Sequence, residues 1–116
     1  MLTDLNIFKI YGAMARHATE SQRITSINVS RSSEPGYRSL EVESFSEFFE
    51  RAQKAGDLNQ TFRVTEAKTP IAPNGNSVSL EKEIFASAEA SAQHDMAMAV
   101  YGKTLDLMRA AMGRRN

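Results

Sequence analysis

Apolar positions recur at helical intervals over both ends of the chain and lose that rhythm between them. Thr3 or Asp4 can accept the first free N–H groups, and the pattern they open runs to Val29 or Ser30. Leu5, Phe8, Gly12, Ala15, Thr19, Gln22, Ser26 and Val29 form one row with 3/4 spacing, and Ile7, Tyr11, Met14, Ala18, Ser21 and Thr25 form a second. Two rows in one helix imply contact from more than one side, fading where the residues become small and polar. The pattern then breaks. Ser32 and Ser33 favour local side-chain-to-backbone bonds, Pro35 pushes Glu34 out of the α region, and Gly36 permits a turn.

The middle alternates rather than repeats. Leu40, Val42 and Ser44 alternate with Glu41, Glu43 and Phe45, which predicts a short strand. Phe45 to Ala52 predicts one or two helical turns ending near Gly56, and Phe62 to Glu66 has strand-like composition. Thr69 to Asn76 is a loop on its Pro, Gly and Asn content.

The last segment is helical. Ser77 or Ser79 can cap it, and Glu81 and Glu83 sit where acidic groups complement the helix dipole. The Ala-rich run from Ala86 to Ala92 favours helix, and Ile84, Ala88, Ser91, Asp95, Met98, Tyr101, Leu105, Met108 and Met112 give one stripe. Gly113 closes it. Leu80 to Met112 as one helix spans about 50 Å, and the N-terminal helix about 40 Å. A compact globule of this length has a radius of gyration near ~13 Å, so both helices overhang it. The expected organisation is one elongated domain: helix and turn over 1–34, an irregular middle over 35–78, and a closing helix over 79–116.

Composition sharpens this. The chain has 116 residues with 8% aromatics and no Trp, and its apolar content leans on Ala and Met, which suits burial against partners better than a dense private core. Fourteen basic residues balance fourteen acidic ones, so no net field draws it to nucleic acid or an anionic membrane. Lys103, Arg109, Arg114 and Arg115 outnumber Asp106 near the end, which reads as favourable charge at a helix C-terminus. There are no cysteines, which excludes disulfides and thiol chemistry. No cleavable signal and no membrane span is apparent in the pattern.

Candidate chemistry is sparse. His17 and His94 lie on different helices, and Asp95 beside His94 points away from it, so exposed structural histidines are the better reading than a metal site. Glu41 and Glu43 read as a solvated strand edge rather than an acid–base pair. No nucleophile elbow occurs. Asn74-Gly75-Asn76 reads as a turn rather than a phosphate loop, and Met96, Met98, Met108 and Met112 as adaptable helix packing. No catalytic, cofactor-binding or metal residue is expected.

Two segments carry a family resemblance. Asn28-Val29-Ser30-Arg31-Ser32-Ser33-Glu34-Pro35-Gly36-Tyr37 resembles the Asn-Ile-Ala-Asn-Ala-Asp-Thr-Pro-Gly-Tyr turn of the flagellar axial rod and hook proteins. Asn28, Pro35, Gly36 and Tyr37 match, while Arg31, Ser33 and Glu34 depart from it. Gly75-Asn76-Ser77-Val78-Ser79-Leu80-Glu81-Lys82-Glu83-Ile84 is similar to the Gly-Asn-x-Val-x-Leu-Glu-x-Glu-Met run that begins the C-terminal helix of proximal rod members, with Gly75, Asn76, Val78, Leu80, Glu81 and Glu83 matching.

The resemblance implies a mainly α fold, its long N- and C-terminal helices packed as an antiparallel-type coiled-coil pair around a short irregular, β-containing middle. It implies a structural subunit of the basal-body rod, in the periplasm and exported without a cleaved signal by the flagellar type III apparatus. Implied partners are further copies, the rod proteins FlgC, FlgF and FlgG, the rod adaptor FliE and the MS-ring, with no nucleic acid and no membrane insertion. Leu5, Phe8, Tyr11, Ile84, Met98, Tyr101, Leu105 and Met108 are the expected packing residues within and between subunits. The alternative is a cytoplasmic coiled-coil adaptor or export chaperone built on the same helices.

Overall fold

The computed structural model describes the backbone of residues 2–113 and the side chains of residues 6–113. The expected Leu5 contact and the charges of Arg114 and Arg115 lie outside the described residues. Five elements follow in order: α1 (Leu2–Ser30), β1 (Leu40–Val42), α2 (Phe45–Ala55), β2 (Val64–Glu66) and α3 (Leu80–Gly113). The protein is mainly helical with one small antiparallel sheet.

The local signals act close to where the sequence puts them. α1 begins at Leu2, ahead of the expected cap at Thr3 or Asp4, and ends at Ser30. The Ser44 hydroxyl accepts from the Glu47 N–H at 3.1 Å and caps α2. Gly56, at φ 70°, takes the left-handed conformation that closes it, where the sequence puts its end. Ser79 caps α3, its hydroxyl accepting from Lys82 N–H at 3.3 Å. β1 and β2 pair with Leu40 opposite Glu66 and Val42 opposite Val64.

α1 and α3 lie side by side in opposite directions. Phe8 stacks on Tyr101 with ring centroids 4.0 Å apart. Further along, the Gln93 amide donates to the Met14 carbonyl at 3.1 Å. At the far end the Asn28 amide donates to Glu83 at 2.7 Å. The rising numbers on one helix meet falling numbers on the other.

The α3 side of this contact corrects the expected stripe. Its buried residues are Glu83, Ala90, Ala97 and Thr104, at intervals of seven. Ile84, Ala88, Ser91, Asp95 and Met98 are exposed instead. The reason is size. Ala13 and Ala18 on α1 are also buried, and Gly12 lies under the Tyr101 ring, where a Cβ would sit 3.5 Å from it. Small residues let the two backbones approach, and Ile84 and Met98 are left outside, while Tyr101 of the same stripe packs on Phe8 and Leu105 and Met108 are half-buried.

A second contact zone sits on α1 opposite no long helix. Phe48 and Ala52 of α2 pack on Ala13, with Phe45, Leu58 and Phe62 around them. Phe48 and Phe62 rings are 4.5 Å apart, and His17 meets Phe62 edge-on at 5.3 Å. Phe48 is fully buried in this cluster.

The molecule measures 69 × 27 × 14 Å with a radius of gyration of 17.9 Å, against roughly 13 Å for a compact chain of this length. It is a rod. Its accessible surface is 7886 Å², where a compact monomer of this mass exposes roughly 6,300 Å².

Candidate junction and assembly surface

The segments that follow α1 and precede α3 close on each other at one end of the rod. Asn28, fully buried near the end of α1, uses its whole amide. Its Nδ2 donates to Leu40 O and to Glu83 Oε1, each at 2.7 Å. Its Oδ1 accepts from the Tyr37 hydroxyl at 2.8 Å and from Leu40 N–H at 3.0 Å. An Asn has two donors and two acceptor positions, so nothing is left over. Glu83, 4% exposed, is held without a basic partner among these bonds; Ser39 adds a long contact at 3.4 Å.

Asn76 performs the matching task on the other segment. Its Nδ2 donates to Arg31 O at 2.9 Å and Glu34 O at 2.7 Å, adding a second bond to carbonyls that already accept the Glu34 and Tyr37 N–H groups in the turn after α1. Its Oδ1 accepts from Val78 N–H at 2.8 Å, setting the approach to α3. Ser77 donates its N–H to Tyr37 O at 3.0 Å, and its hydroxyl accepts from Ser39 N–H at 2.8 Å. Gly36 N–H reaches Asn74 O at 2.9 Å. The two glycines face each other: a Cβ on Gly75, whose φ is +86°, would lie 3.1 Å from Gly36 Cα.

Tyr37 is half-buried, with Arg31 over its ring at 5.5 Å. Burial pushes its hydroxyl up from the ordinary value, Arg31 opposes this, and Glu83 and Glu34 add to the rise. The hydroxyl therefore stays protonated and serves as the donor that Asn28 Oδ1 requires.

Two polar ties fasten the middle to the helices. His17, expected to be exposed, is 7% exposed. Its Nε2 lies 2.7 Å from Glu43 O, and its Nδ1 lies 2.9 Å from the Gln93 amide nitrogen. The carbonyl on one side and the amide donor on the other assign the proton to Nε2. Glu43, expected on a solvated edge, instead receives Arg51 Nη2 and accepts Arg63 N–H at 3.0 Å. Burial pushes its carboxyl up, but the bonds from Arg51 and from the Arg63 backbone outweigh it and bring the group below its ordinary value. Glu41 remains exposed beside Lys82 at 3.3 Å. His94 is 3.8 Å from Asp95, too far for a hydrogen bond. Among the described residues no group of three or more His, Cys, Asp or Glu side chains is placed to hold a metal ion, and none of the helices is long and apolar enough to cross a membrane.

The expected packing residues divide into two sets. Phe8, Tyr11, Tyr101, Leu105 and Met108 are half-buried, with Phe8 and Tyr101 spent on each other inside the chain. Ile84, at 69% exposed, and Met98, at 46%, face solvent. Of the motif residues, Asn28, Asn76 and Glu83 are buried, Tyr37, Gly75 and Val78 are half-buried, and Pro35, Gly36, Leu80 and Glu81 are exposed. The structure thus joins Asn28 and Tyr37 to Asn76 and Glu83, and does not bring the exposed four into that network through their side chains.

Ser39 was not expected at this junction, and Ser77 was expected there only as an alternative cap of α3. Glu83 was expected as a dipole complement and as a motif position; nothing in its neighbours Lys82 and Ile84 separates it from exposed Glu81. Other exposed apolar residues are Phe85, Met96, Leu107 and Met112 on α3. A groove of about 980 Å³ runs between α1, α2 and α3, lined by Phe8, Ile10, Phe49, Leu58 and Met98 among others. No protein-family model matches the chain, and no curated protein matches it significantly.

Proposed function

We propose that this chain is a structural subunit of the bacterial flagellar proximal rod, of the FlgB type, which polymerises with other rod proteins into the drive shaft. The observation that carries the proposal is the buried junction. The two segments resembling rod-protein motifs are far apart in the sequence, and their residues Asn28, Tyr37, Asn76 and Glu83 lie in one hydrogen-bonded unit. A fixed turn at the foot of paired helices is what an axial subunit needs to set where its middle leaves the shaft. The elongated form and the exposed Ile84, Phe85, Met96 and Met98 support a building block that completes its burial in an assembly.

The seven-residue interval of Glu83, Ala90, Ala97 and Thr104 further supports reading the α1–α3 pair as an antiparallel coiled coil with a small-residue seam. In this reading the chain is exported without a cleaved signal and works mechanically. It performs no catalysis.

Tyr101 packs inside the chain, so the exposed positions give the cleaner test. Ile84→Asp or Met98→Asp is expected to abolish swimming while leaving the protein folded and exported, and the native protein is expected to co-purify with basal bodies. Normal swimming of both variants, or of a strain lacking the chain, overturns the proposal. The groove of about 980 Å³ favours a second reading, a soluble adaptor or export chaperone that receives a partner helix. Retention in the soluble cytoplasmic fraction would select it.

A further inference from the structure

We infer that Asn74-Gly75 is a self-modification site gated by the junction. While the junction is closed Asn74 keeps its side-chain amide, and when it opens the Gly75 nitrogen displaces that amide as ammonia. The site depends on the junction geometry and on no assignment of function.

Of the chain's asparagines, Asn74 is the one followed by glycine. The nitrogen one residue along can reach an asparagine Cγ and close a five-membered ring, an attack favoured by proximity and obstructed by any side chain on the attacking residue. Asn74 is also exposed, so base and water reach it, whereas Asn28 and Asn76 are buried and precede Val29 and Ser77. The bond from Gly75 N to Cγ forms as the Cγ–Nδ2 bond breaks, and Nδ2 leaves as ammonia with the proton from Gly75. Water then opens the succinimide at either carbonyl, giving aspartate or isoaspartate. One water is consumed, one ammonia is released, and nothing is oxidised. The electrophile is already prepared: Asn76 N–H donates to Asn74 Oδ1 at 3.1 Å, the oxygen on which charge develops under attack.

The closed junction withholds the nucleophile. Gly75 N–H is spent on Ala72 O at 2.8 Å, and Asn74 O accepts Gly36 N–H at 2.9 Å. Both ends of the peptide unit that must turn to bring Gly75 N onto Cγ are therefore tied. Ala72 N–H closes the loop on Asn76 O at 2.8 Å, and the Asn76 amide fastens it to Arg31 O and Glu34 O. Gly36 leaves no room for the turn, since even a Cβ on Gly75 would lie 3.1 Å from its Cα. Attack waits for the junction to open, and its rate follows the open population.

The two products differ in what they can rebuild. Aspartate keeps the main chain and the Oδ1 that Asn76 N–H uses. Isoaspartate lengthens the main chain by one atom and leaves Asn74 O on a side-group carboxylate, detached from the peptide unit of Gly75. The open state is thereby made permanent in isoaspartyl chains.

The test follows Asn74 by mass spectrometry of proteolytic fragments in warm, mildly alkaline buffer, with isoaspartate labelled by protein-isoaspartate methyltransferase. The native chain, Asn76→Ala, Ala97→Leu and peptides of residues 70–79 with and without Asn76→Ala are compared. Both peptides are expected to convert, and the native chain at least about tenfold more slowly, since opening breaks several hydrogen bonds together. Asn76→Ala removes three bonds of the gate and leaves Asn74-Gly75 unchanged, so it should regain most of the peptide rate with its helices intact by circular dichroism. Ala97→Leu, altered at the seam, should stay as slow as the native chain. The native chain also supplies a measurement that needs no variant: Gly75 N–H must exchange its hydrogen through the same opening, so its slowing relative to the peptide should match that of the conversion. Purified isoaspartyl chains should unfold at lower urea than Asn74→Asp. Conversion of the native chain at the peptide rate, an unprotected Gly75 amide, or peptides that do not convert would overturn the gated site. So would a folded Asn76→Ala chain as slow as the native one, equal acceleration by Ala97→Leu, or isoaspartyl chains as stable as Asn74→Asp.

Discussion

Replacing Asn28 by Ala should be among the most damaging single changes in the protein. The substitution removes four hydrogen bonds at once and fills none of the space. Leu40 N–H, Leu40 O, the Tyr37 hydroxyl and Glu83 Oε1 would each lose a partner at a fully buried position. A buried polar group left unsatisfied costs about 1–3 kcal/mol. Water admitted into the space, and the shared nature of the network, bring the expected loss to about 3–5 kcal/mol rather than the full sum. With an unfolding slope of about 1–3 kcal/mol per molar urea, the midpoint should fall by at least ~1 M. Should Asn28→Ala prove too unstable to measure, Asn28→Asp and Glu83→Gln form a cycle. The aspartate alone faces the Glu83 carboxylate where a donor stood at 2.7 Å, and the glutamine alone can still accept through its Oε1. Together they restore a donor–acceptor pair, so a coupling above about 1 kcal/mol is expected. A loss below about 1 kcal/mol for Asn28→Ala, or a cycle with no coupling, would refute the assignment of Asn28 as the centre of the junction.

The two glycine environments predict opposite signs. Gly75→Ala should destabilise by more than about 1 kcal/mol, because φ is +86° and the added Cβ meets Gly36 Cα at 3.1 Å, whereas Gly102→Ala, in the helix with nothing within 4 Å, should stabilise by about 0.5–1 kcal/mol. Thermal melts of the two variants check this. At the seam, Ala97→Leu should cost about 1–3 kcal/mol by separating α1 from α3, while Phe85→Leu, on an exposed residue of the same helix, should change urea stability by less than about 0.5 kcal/mol. Glu43 is held below its ordinary value in the folded chain, so its stabilising contribution is present above about 4.5 and is lost as pH falls through the lower folded value. Urea midpoints of the native chain should therefore drop on the acid side more steeply than those of Glu43→Gln, and parallel pH profiles would contradict that role.

The elements were legible because each has a local cause. Ser44, Gly56 and Ser79 act on their own neighbours, and the break after Ser30 is written in Pro35 and Gly36. The placement of Asn28, Tyr37, Asn76 and Glu83 as motif positions was legible only through resemblance, and their mutual bonding was not legible at all. A hydrogen bond between residues 28 and 83 depends on the register of two long helices, which no short segment encodes. The phase of α3 failed for a different reason. A stripe drawn through Ile84, Met98 and Leu105 follows side-chain bulk, and bulk points to burial only when the contact has room for it. Here Ala90 and Ala97 make the contact, one position earlier in each heptad. His17 likewise looked ordinary because its partners, Glu43 O and Gln93, come from elements 26 and 76 residues away.

That one-position offset has a consequence for the surface. Had the bulky row formed the seam, the helices would stand farther apart and the outer surface would be largely polar, giving a self-sufficient hairpin. With alanines inside, the pair is close-set and buries little apolar area per residue, while Ile84, Phe85, Met96, Met98 and Leu107 stay in water. Stability at the rod's end then falls to polar bonding, which is why the junction is fully satisfied and why Asn28 has no spare valence. Polar bonds fix geometry more sharply than they add net stability, since each is worth only about 1 kcal/mol against water. The chain is thus specific in shape and leaves much apolar surface exposed. Both properties follow from the choice of small residues at the seam.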